Sequence, residues 1–121
     1  MEMKFAQHAD CKTVWLQVGT EDVNCLDTTM TEIKANTVDA AVEKHVPATE
    51  YRDGKLHVQI GSVEHPMLPE HYIEWIIVET KDGRMMKQLK PGEKPVAEFT
   101  VAKEDVVTVY EHCNIHGLWK K

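Results

Sequence analysis

The chain lacks any apolar run approaching the roughly 20 residues that a membrane-spanning helix requires, and its first residues, MEMKFAQHADCK, hold no signal-peptide core. A cytoplasmic location is the expectation that follows. Long basic runs are missing too: 14 Lys and Arg stand against 20 Asp and Glu, for a formal charge of -6. That balance repels polyanions, so nucleic acid and anionic membranes are not expected as partners. Cysteine is scarce, three in 121 residues, and in a reducing compartment so few thiols argue for metal or redox chemistry before a disulfide scaffold. A long helical pattern is absent as well. What is present, 42% hydrophobic and 28% charged residues, suits one ordinary globular domain or a small domain with an appendage.

The residues with metal-binding chemistry gather in three short stretches. Tyr110-Glu111-His112-Cys113-Asn114-Ile115-His116-Gly117-Leu118-Trp119 sets a thiol and an imidazole in a Cys-x2-His arrangement. With Gly117 to let the backbone bend, that spacing can bring sulfur and ring nitrogen onto one ion. Alone it is a weak signal, because a buried cysteine beside a surface histidine gives the same string. Glu64-His65-Pro66-Met67-Leu68-Pro69-Glu70-His71-Tyr72 and Glu43-Lys44-His45-Val46-Pro47 each place histidine near proline. Proline fixes its own φ and pushes the preceding residue into an extended conformation, so His65 is expected on a stiff loop rather than inside a helix.

Together His45, His65, His71, His116 and Cys113 offer four imidazoles and one thiolate, one donor more than a tetrahedral structural zinc takes. Donor softness suits iron, copper and zinc alike. Blue copper needs two histidines and usually a later methionine, and after His116 only Gly-Leu-Trp-Lys-Lys remains. A copper electron-transfer module and a structural zinc domain are the alternatives to iron.

The rest of the chain reads as strands. Leu56, Val58 and Ile60 alternate with Lys55, His57 and Gln59, a half-buried strand that puts His57 on the wet face and removes it from the candidate ligands. Tyr72 to Thr80 is long and β-branched, Lys81-Asp82-Gly83-Arg84 is a hairpin turn, and a return strand covers roughly Arg84 to Leu89. Further strands are expected over Ala97 to Val101 and Val106 to His112, with a loop at Lys90 to Pro95. In the last strand side chains alternate, so His112 and Cys113 point to opposite faces. A short helix is expected from Asn36 toward Lys44, with Thr37 as cap and Asp39 in its first turn, limited by Pro47. Strands at this spacing indicate an all-β sandwich. Residues 1 to 35 suggest a small β unit around Val14-Trp15-Leu16, and His8 within it is given no role.

EKHVP, GSVEHPMLPEHYIEW and YEHCNIHGLW, in that order, resemble the superoxide reductases, the desulfoferrodoxin and neelaredoxin family, over residues 36 to 121. The resemblance implies an immunoglobulin-like seven-stranded antiparallel β-sandwich. It also implies one mononuclear non-haem iron per chain, cycling between ferrous and ferric, with His45, His65, His71 and His116 equatorial and Cys113 axial. In that pattern superoxide is reduced to hydrogen peroxide, Lys44 attracts the anion and orders a proton-donating water, and Glu43 occupies the sixth position of the resting ferric iron. Backbone N–H groups of Asn114 and Ile115 are expected on the Cys113 sulfur. A two-domain desulfoferrodoxin carries a rubredoxin-like four-cysteine iron in its N-terminal segment. Here only Cys11 and Cys25 stand in residues 1 to 35, and two thiolates cannot close that site, so the segment is read as a degenerate domain without iron. A separate rubredoxin-like electron donor and a homodimer or homotetramer are further expectations of the resemblance.

Overall fold

The computed structural model describes residues 3–21 and 28–121. Contacts divide the chain into two compact units, Met1–Lys34 and Ala35–Lys121. The first holds β1 (Phe5–His8), β2 (Val14–Leu16) and β3 (Met30–Ile33), antiparallel in the order β2-β1-β3. The β1–β2 turn closes through Lys12 in the left-handed region (φ 64°), with His8 and Lys12 bonding across it. Cys11 lies exposed in this turn, its sulfur 3.2 Å from the Thr13 hydroxyl. Cys25 falls outside the described residues.

The second unit is a sandwich of seven strands. They are β4 (Pro47–Arg52), β5 (Lys55–Ile60), β6 (Ile73–Thr80), β7 (Arg84–Gln88), β8 (Val96–Thr100), β9 (Val106–Cys113) and β10 (Gly117–Lys120). One antiparallel sheet has the order β10-β9-β6-β7 and the other β4-β5-β8, so the expected seven-stranded antiparallel architecture with a small N-terminal β unit holds. The alternation of β5 does what its sequence requires. Leu56, Val58 and Ile60 turn inward with Phe99 of β8, and meet Ile73, Ile76, Val78 and Val109 of the facing sheet. Each such side chain contributes about 1.5–3 kcal/mol by leaving water, which fixes the register, since a one-residue slip would expose the whole row. Cys113 is fully buried at the end of this same cluster. No helix among the described residues is long and apolar enough to cross a membrane.

The helix expectation needs correction, one strand was not anticipated, and the setting of His57 needs refinement. The helix is a single turn, α1 (Val42–His45), and occupies only the end of the expected stretch. Asn36 adopts φ 61° and uses its amide to pair with the Lys120 backbone, and the cap position is Ala41, extended and without a side-chain bond. The N-cap of α1 is therefore not Thr37, and Val46, before Pro47, is already extended. The strand β4 begins at Pro47 and escaped notice because a proline and the polar Glu50 and Arg52 mask its period. His57 does face outward, but its neighbours cover most of it: its side chain is 17% exposed and Nδ1 lies 3.4 Å from Glu98.

Candidate metal centre

Three loops at one end of the sandwich carry the candidate ligands. α1 ends on His45, the turn after β5 leads to His65 and His71, and the β9–β10 turn carries Cys113 and His116. Among the described residues these five form the one group of three or more His, Cys, Asp or Glu that could hold a metal ion, with one donor atom each within 4.8 Å of one another. The imidazoles form a closed ring. Centroids of His45 and His65 are 4.8 Å apart, His65 and His71 4.7 Å, His71 and His116 5.1 Å, and His116 and His45 4.9 Å, each pair edge to face. The Cys113 sulfur lies 3.5 Å from His65 Nε2 and 3.9 Å from His116 Nδ1.

Hydrogen bonds at the far side of two rings set which nitrogen looks inward. His45 Nδ1 donates to the Ala41 carbonyl at 2.7 Å and His65 Nδ1 to the Pro66 carbonyl at 2.6 Å, so each Nε2 is the unprotonated nitrogen and faces the other donors, His45 Nε2 lying 3.1 Å from His116 Nδ1. His71 Nε2 is buried with no hydrogen-bond partner among the described residues. A buried orphan beside three other inward ring nitrogens and a sulfur, which have only one another as partners, is the pattern expected of ligands. An ion about 2.0–2.3 Å from every donor would separate opposite donors by up to roughly 4.6 Å, which matches the observed cluster.

Burial favours the neutral form of three of the imidazoles, His45, His65 and His71. It pushes His65 down to about 4, and lowers His45 and His71, helped in each case by the positive charge their neighbours would carry. The Cys113 thiol is pushed up by burial, partly offset by backbone N–H groups of His116 and Ile115. A neutral imidazole donates without first losing a proton, whereas this thiol needs a cation to ionise it. The donor set therefore fits a transition ion of mixed softness.

The desulfoferrodoxin family model matches residues 37–121. The desulfoferrodoxin of Clostridium acetobutylicum is 48% identical over 105 residues, covering 87% of this chain and 82% of that protein. This chain belongs to the desulfoferrodoxin family. A superoxide reductase of Pyrococcus abyssi is 33% identical over 96 residues, 64% of this chain and 84% of that one. The crystal structure of the superoxide reductase from Treponema pallidum superposes with a TM-score of 0.79 at 34% identity, covering 100% of this chain and 99% of that one.

The remaining histidines of the chain stand apart from the donor group. His112 Nδ1 pairs with Glu74 at 2.7 Å and its ring stacks on Trp75, on the side of β9 away from Cys113. Glu43 and Lys44 are exposed on α1, outside the donor group; the charge of Glu43 acts on His45 and that of Lys44 on His71. The sulfur contacts differ in one respect from expectation: His116 N–H points at Sγ at 3.4 Å, and the Asn114 N–H donates instead to the Tyr72 carbonyl at 3.2 Å.

Two neighbours of the site were not singled out from the sequence. Trp119 stacks on His45 with centroids 4.8 Å apart and donates Nε1–H to the His116 carbonyl. Glu111 is fully buried, without a partner for either carboxylate oxygen among the described residues, and burial pushes it well above the usual carboxylate range. The alternation that turns His112 away from Cys113 puts Glu111 on the sulfur's side.

Proposed function

We propose that this desulfoferrodoxin is a superoxide reductase, in which superoxide takes one electron and two protons and leaves as hydrogen peroxide. The observation that carries the reading is the ring of four imidazoles with a buried thiol against it, five donors within 4.8 Å. His45, His65, His71, His116 and Cys113 would hold a mononuclear non-haem iron. That iron, when bound, supplies the electron and an open position for the anion. The protein's part is electrostatic and positional. Neutral imidazoles leave the centre's positive charge uncancelled, and amides of His116 and Ile115 hold the sulfur's charge. Lys44 gathers superoxide and keeps a proton source beside it, and Glu43 offers a carboxylate to the same opening. Both are exposed, and their charges reach His71 and His45.

Residues 1–35 are assigned as a rubredoxin-like segment that no longer holds iron, because Cys11 and Cys25 are too few for a four-sulfur site. The electron then comes from a separate rubredoxin-like carrier, in the cytoplasm, to a homodimer or homotetramer. Metal analysis, a visible spectrum and product counting test the core of this. One iron per chain, a red-absorbing ferric thiolate and one peroxide per superoxide without oxygen release are expected. Oxygen release with one peroxide per two superoxides would mean dismutation. A colourless zinc protein, or a more intense copper–thiolate band, would favour a structural or electron-carrying module instead.

A further inference from the structure

Of the four imidazoles, His71 has the weakest hold on its own orientation. His45 and His65 are pinned by Nδ1–H donating to a backbone carbonyl, whereas His71 Nε2 is buried without a hydrogen-bond partner among the described residues. Its ring is half-buried, on a loop closed by one bridge in which Leu68 and His71 exchange backbone bonds of 2.9 and 3.0 Å. The position of this imidazole therefore rests on the backbone to either side of it.

Both sides are held by one residue. Asn114, directly after Cys113, accepts the Tyr72 N–H on Oδ1 at 2.9 Å and donates Nδ2–H to the Glu70 carbonyl at 3.1 Å. Its own backbone N–H donates to the Tyr72 carbonyl at 3.2 Å. Three bonds thus tie the residues before and after His71 to the residue that follows the thiol. We propose that Asn114 is a positioning residue that sets His71 against Cys113 and so governs metal affinity at the centre. The proposal rests on reading the five donors as a metal centre.

The chemistry selects asparagine. An amide presents one acceptor and one donor side by side in a plane, matching the Tyr72 N–H and the Glu70 carbonyl. Aspartate keeps the size and the acceptor but turns a second oxygen toward the Glu70 carbonyl. Alanine keeps neither bond. Asn114 is exposed, so either replacement leaves the sandwich core untouched.

The test uses the full chain, stripped of metal and titrated with cobalt(II), with Asn114→Ala and Asn114→Asp beside the parent. Removing outer partners of a metal ligand lowers affinity by about 10–100-fold, and that loss of cobalt affinity is expected in both variants, with an altered cobalt spectrum. In the metal-free chain, exchange of the Tyr72 amide hydrogen should speed up about tenfold or more in Asn114→Ala while urea midpoints stay close to the parent's. Cobalt affinity and spectrum equal to the parent in both variants would overturn the proposal. So would an Asn114→Asp that matched the parent while Asn114→Ala did not, since that would reduce Asn114 to a space-filler. A parent that bound no cobalt would overturn the metal-centre reading, and the clamp would then stand or fall on Tyr72 exchange.

Discussion

Acid should unfold the metal-free protein through His65. In the folded chain burial holds this imidazole near 4, against 6.5 for a free histidine. The full difference is worth roughly 3 kcal/mol, at 1.36 kcal/mol per unit. Between those two values the unfolded state binds more protons than the folded one, so stability rises with pH across the window and is lost as pH falls. At pH 5 the unfolded residue is almost wholly protonated and the folded one almost wholly neutral, which leaves about 2 kcal/mol of the loss realised. His45 and His71 are lowered too and act in the same direction. Glu111, raised by burial, acts in the opposite direction, because its folded form keeps a proton that the unfolded form has lost. The parent's slope is therefore a sum, and His65→Gln separates one part of it. Urea unfolding of both metal-free proteins at pH 7.5 and pH 5 should show a pH-dependent loss about 2 kcal/mol smaller in the variant. Equal losses in the two proteins would refute the neutral, buried state assigned to His65.

Other substitutions probe the remaining parts of the site. Cys113→Ser should abolish both the red ferric band and superoxide reduction, while Cys11→Ser, in an exposed turn, should leave both nearly unchanged. Glu43→Ala should move the ferric spectrum toward that of a water or hydroxide ligand and leave the rate with superoxide almost untouched; a spectrum constant across the accessible pH range would exclude Glu43 from the centre. Lys44→Ala should slow the reaction with superoxide about tenfold, since a cation at roughly 7 Å attracts a unit anion by about 0.6 kcal/mol in water and about 2.4 at an effective dielectric of 20. Lys120→Ala should do much less, and equal effects would mean that net charge alone matters. Gly61 has φ +83°, and an added Cβ would come within 2.7 Å of the Lys44 carbonyl oxygen, so Gly61→Ala should cost about 1–3 kcal/mol in urea unfolding and also slow superoxide reduction. Gly54→Ala, at φ +73° in open space, should cost stability without slowing the reaction.

Four of the five candidate ligands were legible because each carries a local mark. His65 precedes a proline, His45 lies two residues before one, and Cys113 and His116 share one turn, so chemistry and backbone stiffness can be read within five or six residues. The strands β5, β6 and β9 were legible for the same reason, each having a period of two or a β-branched run longer than its neighbours. Where the reading failed, the deciding contact was remote. Asn36 looked like the start of a helix, but its amide is committed to Lys120, 84 positions away, and that pairing places its backbone in a turn.

Distance in sequence also hid the support of the site. A glutamate in a strand ordinarily reads as solvent-facing, and nothing near Glu111 announces that β6 and β10 close over it from both sides, pairing it with Ile76 and Trp119. Trp119 reads as core, and only the fold brings its ring onto His45. Asn114 is the sharpest case. Beside Cys113 its amide suggested a tuner of the sulfur, yet its bonds run to residues 42 and 44 positions back, on either side of His71. Ligand identity is a property of side-chain chemistry and survives in a short string. Ligand placement is a property of backbone brought together by two sheets, and it is written in residues whose partners lie on the other side of the fold.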